Sequence, residues 1–235
     1  MNPSHGKKNS QPAPARWAIM AQFRDCVVSC VSVCLIGCSG SDPVTVFAAA
    51  STGPAMEDAV SRWGGDARVH SAASGTLLKQ MQLGMDVDIL LLARPQAGRK
   101  HHKQLLTNTL VLFGDRLVEE DSCIVIGDPG FVPAGQYARD HWQWSNAWDQ
   151  VQPRLRYAKD APSIPMLVSQ GLCPRGVAYR TDLVHQDFEF RRDLFWGEAP
   201  TYPLYVLNDS GDDLYAWLQT EAGLAAFVQA GFGLP

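Results

Sequence analysis

The 235-residue sequence has no segment after its N-terminal region that is apolar enough to cross a membrane, which takes about 20 consecutive apolar residues. It also lacks the glycine spacing and lysine of a P-loop, a C-x-x-C pair, a Cys/His zinc pattern, a G-x-S-x-G turn and any internal repeat. An excess of basic residues is missing too, because 20 Lys+Arg stand against 24 Asp+Glu, for a net charge of -4. These absences exclude a general nucleic-acid binder and disfavour an embedded membrane protein and a nucleotide-phosphate site.

Charge is unevenly distributed along the chain. Residues 1–37 contain four basic residues and one acidic residue, whereas residues 38–235 contain 16 basic and 23 acidic residues. A basic N-terminal segment followed by an acidic body is typical of an exported protein.

An uncharged run of twelve residues, 26–37, follows Arg24. Its length fits the apolar region of a secretion signal and is too short to span a bilayer. The run leads into LIGC at residues 35–38, which resembles the bacterial lipobox. That resemblance implies cleavage before Cys38 and a diacylglycerol on its thiol.

The sequence therefore predicts a lipoprotein signal peptide over residues 1–37 and a tether over 38–43. Translation can begin at Met1 or at Met20, and the alternative for the run itself is a buried strand with an incidental cysteine. The expected location is outside the cytoplasm, in the periplasm or cell envelope, with the protein anchored to a membrane through Cys38.

After removal of the signal peptide, Cys123 and Cys173 remain besides the anchor. Outside the cytoplasm the two can pair. However, Cys123 lies in the apolar run 122–126, and this pattern favours a small core residue over a disulfide partner.

Short β-rich runs alternate with segments of helical periodicity. Strands are predicted at 44–48, 67–71, 87–93, 108–113, 123–127, 176–179 and 202–207, and helices at 54–62, 76–83, 137–148, 164–169 and 214–228. This order predicts an α/β fold with mainly parallel sheets flanked by helices.

Four small-residue segments lie where a strand would lead into a helix: 48–53, 72–76, 132–135 and 159–162. Helix N-termini carry unsatisfied N–H groups and partial positive charge, so several of them converging on one point would bind an anion. Taken singly, each segment is more often only a helix cap.

Those segments belong to longer stretches that resemble the periplasmic molybdate-binding proteins of ABC importers. The matching stretches are VTVFAAAS, AASGTLLKQM, NTLVLF, IGDPGFVPAGQYAR, GVAYRTD, YPLYVL and the C-terminal GFG. The resemblance implies a two-lobed periplasmic-binding-protein fold of type II with a ligand cleft between the lobes. Residues 44–109 and 200–235 would form lobe 1, and residues 110–199 would form lobe 2.

By the same resemblance, five residues would hold one tetrahedral oxyanion. Ser51 and Ser74 would give hydroxyl and backbone N–H groups, Ala134 and Ala161 backbone N–H groups, and Tyr179 a phenolic O–H. Molybdate at neutral pH carries no proton, so a site made only of donors excludes anions that carry one. The resemblance also implies a monomer that needs no cofactor and delivers its ligand to ABC permease subunits.

Alternatives remain at this level. Tungstate is nearly the same size as molybdate, and sulfate would be separated from them only by cavity volume. An enzyme would need acid/base pairs from Asp86, Asp88, Asp128 or Asp160. A turn role for Asp128 and a capping role for Asp160 are the simpler predictions, and no catalytic residue is assigned.

Overall fold

The computed structural model describes residues 42–99, 102–194 and 199–235. In chain order the first elements are β1 (Val44–Ala49), α1 (Gly53–Trp63), β2 (Ala67–Ala72), α2 (Ser74–Gln82), β3 (Ile89–Leu91) and β4 (Lys103–Thr107). They are followed by β5 (Leu110–Gly114), β6 (Ile124–Gly127), α3 (Pro133–Trp144), α4 (Trp148–Val151), β7 (Leu155–Ala158), α5 (Ser163–Ser169), β8 (Arg175–Tyr179) and β9 (Phe190–Leu194). The last elements are β10 (Thr201–Val206), α6 (Asp212–Leu218) and α7 (Glu221–Gln229).

The strands form two five-stranded sheets of the same design. Sheet A has the order β2-β1-β3-β10-β4, and sheet B has the order β7-β6-β8-β5-β9. In each sheet the first three strands are parallel, and the fourth is antiparallel to both of its neighbours. Both sheets are therefore mixed: four strands run in one direction, in agreement with the predicted α/β class, and one is reversed.

The reversed strand is the one that enters each sheet from the other. β4 ends at Thr107 and β5 begins at Leu110, so two residues carry the chain from sheet A to sheet B. The chain returns between Leu194 and Thr201, where β10 enters sheet A. This double crossing gives the two-lobed α/β arrangement that the sequence predicted, with one sheet and its helices in each lobe.

Helix α1 shows how local sequence determines the ends of a helix and the face that it packs against its lobe. Pro54 lies in the first turn, where its missing N–H costs no hydrogen bond, and Gly64 ends the helix with a left-handed φ of 77°. The helix buries one apolar face, made of Ala55, Met56, Ala59 and Val60. That face packs in the core of lobe 1, where α1 contacts α7 and β2.

Strands β4, β7 and β9 were absent from the sequence prediction, and all three lie at the edge of a sheet. Edge strands expose one backbone side and carry charged residues, so they lack the continuous apolar run of a central strand. β9, with the sequence FRRDL, is the clearest case because its middle residues are charged and at least partly exposed. Apolar periodicity consequently found the central strands and missed these.

Two long helices predicted from periodicity are each divided in the structure. α3 ends at Trp144 and α4 begins at Trp148, with Asn146 between them at a φ of 56°. The predicted helix 214–228 is split between α6 and α7, where the Thr220 hydroxyl accepts a hydrogen bond from the Gly223 N–H at 3.2 Å. This N-cap begins the new helix α7.

Cys123 and Cys173 form a disulfide, with their Cα atoms 5.3 Å apart. The interpretation of Cys123 as a core residue was therefore wrong. The two residues precede β6 and β8, which are adjacent and parallel, so the pairing of these strands brings the two cysteines together. Pairing of this kind depends on strand neighbours that the sequence does not specify.

The predicted signal peptide, most of the tether and Cys38 lie outside the described residues. Within the part of the chain that the structure describes, none of the helices has the length and apolarity needed to cross a membrane.

Candidate functional site

Ser51 lies where the chain leaves the carboxyl end of β1. Buried Ala48 and Ala49 end the strand, and a 3₁₀ turn over Ala50–Thr52 leads directly into α1. The Thr52 hydroxyl fastens this turn by donating a hydrogen bond of 2.8 Å to the Ala49 carbonyl. The turn places Ser51 at a strand end beside a helix start, as the sequence pattern predicted.

Ser74 is the first residue of α2 and follows β2 in the same way. It is buried, and its Oγ accepts a hydrogen bond of 3.2 Å from the backbone N–H of Ala93, which follows β3. Three neighbouring strands of sheet A therefore contribute to this region at their carboxyl ends.

Ala134 lies in the first turn of α3 and is fully buried. The preceding loop is tight because Asp128 organises it, its Oδ1 accepting a hydrogen bond from the Gly130 N–H at 2.8 Å. Only glycine fits at 135, since a Cβ there would lie 1.8 Å from the Gly127 carbonyl oxygen. The turn role predicted for Asp128 is confirmed.

Ala161 is buried just before α5. The Asp160 carboxylate accepts a hydrogen bond of 3.0 Å from the Ser163 N–H, which confirms its predicted capping role. Asp160 is thereby engaged in local structure at the start of α5.

Tyr179 ends β8 and is almost completely buried. Among the described residues its hydroxyl interacts with that of Tyr202 but makes no hydrogen bond of normal geometry. Burial raises the pKa of Tyr179 well above its ordinary value, so the phenol keeps its proton and remains a donor.

One small cavity brings four of the five predicted residues together: Ser51, Ser74, Ala161 and Tyr179 all line it. Its cavity volume is ≈ 10 Å³, and the remaining lining comes from Ala49, Ala50, Ala73, Ala93, Val132 and Pro133. Ala134 is not in the lining but follows Pro133 directly. Among the described residues that line this cavity, none carries a charge, so hydroxyls, backbone groups and helix starts define its chemistry.

A larger open groove of ≈ 480 Å³ is lined by Thr76, Lys79, Asp128, Phe131, Tyr157, Ala158 and Lys159. Its charges are of both signs, and the predicted donors are absent from its lining. We therefore assign the small cavity, rather than this groove, as the candidate site.

Contacts between the two lobes surround the cavity. The Gly75 N–H, at the start of α2, donates a hydrogen bond of 3.0 Å to the Phe131 carbonyl in the loop before α3. Arg94 forms an ion pair of 2.8 Å with Asp140 and lies 4.9 Å over the ring of Tyr137, both on α3. The lobes thus touch next to the lining residues Ser74 and Ala93, as in a closed binding protein.

Asp182 lies close to Tyr179 in the short helix after β8. Burial of its carboxyl group raises the pKa of Asp182, the nearby Asp160 carboxylate adds to the rise and a hydrogen bond with the Tyr179 backbone opposes it, so that the pKa of Asp182 is about 7. A raised pKa means that the neutral form persists up to neutral pH, which reduces the negative charge next to the cavity.

Two functional residues were missed by sequence reasoning. Tyr202 on β10 is fully buried, and its Oη lies 3.1 Å from Ser51 Oγ. Asn108, in the crossover from β4 to β5, contacts Tyr202 Oη at 3.3 Å through Nδ2. Both lie in stretches that carry the family resemblance. Only the fold shows that Tyr202 contacts Ser51 and that Asn108 contacts Tyr202.

The described residues contain no group of three or more His, Cys, Asp or Glu side chains that could hold a metal ion. The site is therefore built from uncharged donors at strand ends between two lobes, which is the design of an extracytoplasmic binding protein for a small anion.

Comparison with known proteins gives the family. Residues 44–233 match the model for bacterial extracellular solute-binding proteins, and the chain belongs to that family. It is 29% identical over 233 residues to the molybdate-binding protein ModA of Haemophilus influenzae, covering 83% of this chain and 91% of that protein. It is 30% identical over 171 residues to ModA of Escherichia coli, covering 60% of this chain and 66% of that protein.

A solved structure shares the fold. The periplasmic molybdate-binding protein of Azotobacter vinelandii superposes with a TM-score of 0.68 over 82% of this chain and 99% of its own, at 15% identity. At that identity the likeness concerns the fold alone.

Proposed function

We propose that this protein captures molybdate, and tungstate with it, outside the cytoplasm and delivers the oxyanion to the permease subunits of an ABC importer. The observation that carries the proposal is the uncharged cavity lined by Ser51, Ser74, Ala161 and Tyr179. The family and the ModA relatives support the same ligand.

The physical basis is a match between the ligand and the lining. A tetrahedral dianion offers only acceptors, and hydroxyl and N–H donors held in a desolvated cavity satisfy them. Neutral donors also avoid a strong ion pair that would have to be broken on release. The acidic surface of the protein has little effect, since charges beyond about 8–10 Å are screened at physiological salt.

Calorimetric titration of the purified protein with molybdate, tungstate, sulfate and phosphate tests the ligand. We expect tight binding of the first two and much weaker binding of the others. Heat from none of the four would refute the proposal, and tight binding of sulfate alone would select the sulfate-binding alternative.

Closure of the lobes gives a second test. In Gly75→Ala the new Cβ would lie 2.8 Å from the Phe131 carbonyl oxygen. We expect molybdate affinity to fall by about 1–3 kcal/mol, the usual cost of an overpacked contact, with thermal stability unchanged because the clash lies between lobes. Calorimetry and a thermal melt measure both quantities.

Thr76→Ala is the matched control, because Thr76 is the next residue of α2 and is exposed. It should bind molybdate as the wild type does. Equal affinity of Gly75→Ala and wild type would show that ligand binding does not need the lobes to approach this closely.

We also propose that the protein is a lipoprotein anchored through Cys38. LIGC at residues 35–38 and a disulfide, which requires an oxidising compartment, support this location. Metabolic labelling with a fatty acid should mark the wild type and Cys34→Ser but not Cys38→Ser. Label retained in Cys38→Ser would exclude the lipobox.

A further inference from the structure

The open groove and the candidate site are formed by the same three segments of the chain. On α2, Ser74 lines the cavity and Lys79 lines the groove. After β7, Ala161 lines the cavity and Lys159 lines the groove. The loop between β6 and α3 also contributes residues to both linings. The groove therefore lies directly outside the cavity, along the boundary between the two lobes.

A contact between the lobes separates the two spaces. Gly75 lies between Ser74, which lines the cavity, and Thr76, which lines the groove. The Gly75 N–H donates its hydrogen bond of 3.0 Å to the carbonyl of Phe131, which also lines the groove. Because this bond joins the lobes, their separation would break it and connect the groove with the cavity. An anion that enters the open form from this side crosses the groove first.

Two lysines flank the groove, one from each lobe. Lys79 and Lys159 are both exposed, and within the described residues neither forms an ion pair. The described part of the chain contains one other lysine, Lys103, so two of three lysines lie at this groove. This concentration stands out because residues 38–235 contain 16 basic and 23 acidic residues.

The acidic side chains beside these lysines are held by backbone donors. Asp128, the acidic residue of the groove lining, accepts a hydrogen bond of 2.8 Å from the Gly130 N–H. Asp160, the neighbour of Lys159, accepts one of 3.0 Å from the Ser163 N–H. With two lysines and one aspartate, the lining of the groove has a formal charge of +1.

Both lysines are close enough to act on an ion at the site. Five residues of α2 separate Ser74 from Lys79, or about 7.5 Å along the helix axis. Two residues separate Lys159 from Ala161, so their Cα atoms are at most about 7.6 Å apart. The Debye length is about 8–10 Å at physiological salt and about 30 Å at 0.01 M. The attraction is therefore felt at the cavity and extends into the solvent at low salt.

We infer that Lys79 and Lys159 form a positively charged entrance that steers the oxyanion into the cleft and raises its rate of association. This role rests on the proposed function and adds the route by which the ligand enters. Neither lysine lines the cavity, so the bound oxyanion is still held by uncharged donors. The acidic body of the protein would otherwise repel a dianion as it approaches.

Steering of this kind changes the association rate constant more than the dissociation rate constant. A long-range attraction is already present when the ligand has only reached the groove, and it changes little when the lobes close. Removing the two charges consequently slows association and leaves dissociation nearly unchanged. Salt screens the effect, which separates it from a direct hydrogen bond to the ligand.

Lys79→Gln/Lys159→Gln removes both charges and tests the inference. Lys103→Gln is the matched control, because Lys103 is exposed on β4, at the opposite edge of sheet A from β2, and lines neither space. Lys79→Arg/Lys159→Arg keeps both charges and is the conservative rescue. Stopped-flow tryptophan fluorescence measures the association of molybdate, and calorimetry measures its Kd, each in about 0.01 M and about 1 M salt.

At low salt we expect the double glutamine variant to associate roughly five- to fifteenfold more slowly. This corresponds to about two- to fourfold per lysine, the effect in water of one charge on a dianion about 10 Å away. The Kd should rise by the same factor. In 1 M salt, where the Debye length is about 3 Å, the difference should disappear. Lys103→Gln and the double arginine variant should stay close to the wild type in both conditions.

Wild-type association and Kd of the double glutamine variant at low salt would overturn the inference. A loss of affinity that persists unchanged in 1 M salt would overturn it too, since it would indicate a direct contact with the ligand. An equal loss in Lys103→Gln would assign the effect to net charge instead of the groove. Each of these results leaves the proposed function standing, whereas a wild type that does not bind molybdate would overturn the proposed function itself.

Discussion

Removal of the Cys123–Cys173 disulfide should lower the free energy of unfolding by about 4 kcal/mol, within a usual range of 2–5 kcal/mol. The bond closes a loop between residues 50 apart in sequence, and a cross-link over such a loop removes much of the conformational entropy of the unfolded chain. The variant is Cys123→Ser/Cys173→Ala, because Cys173 is buried and Cys123 is half-buried. Urea unfolding measures the change.

Reductant provides the control for this prediction. Dithiothreitol should lower the urea midpoint of the wild type and leave that of the double variant unchanged. If the variant and the wild type unfold at the same midpoint with and without reductant, the disulfide does not contribute to stability.

Ser51→Ala should weaken molybdate binding by about 1.5–3 kcal/mol, or roughly 10- to 150-fold. The change removes a hydroxyl donor from an anion that has little access to water in the cavity, and hydrogen bonds to charged groups are the strong ones. It also leaves the buried Tyr202 hydroxyl without its contact to Ser51 Oγ at 3.1 Å. Calorimetric titration of the purified variant measures the loss.

Ser145→Ala is the control for Ser51→Ala. It too removes a serine hydroxyl that makes a hydrogen bond, in this case 3.3 Å to the Trp142 carbonyl at the end of α3, but Ser145 does not line the cavity. Its molybdate affinity should equal that of the wild type. Wild-type affinity in Ser51→Ala as well would remove Ser51 from the site.

The family relationship and the central strands could be predicted from the sequence because both depend on local patterns. The run Val44–Ala49 is apolar and short, and Pro54 and Gly64 mark the ends of the helix that follows. Likewise, small residues such as Ser51 and Ser74 recur where strands lead into helices, and this recurrence indicated an anion site before the fold was known.

The edge strands and the helix breaks could not be predicted in this way. β9 has charged residues in its middle and is a strand through its antiparallel pairing with β5. The sequence pattern places Thr220 inside one continuous helix, whereas in the structure its hydroxyl caps the N-terminus of α7. In each case the deciding contact is with a residue that periodicity does not identify.

The body of the sequence lacked a transmembrane run, a phosphate loop, a zinc pattern and an excess of basic residues. By itself the sequence determined the class of protein and the chemical type of the candidate donors. Tertiary structure decided which residues meet. Pairing of β6 with β8 brings Cys123 to Cys173, and entry of β10 into sheet A brings Tyr202 to Ser51. Such contacts join residues 50 and 151 positions apart, and their geometry is set by strand order and packing, which local sequence does not encode.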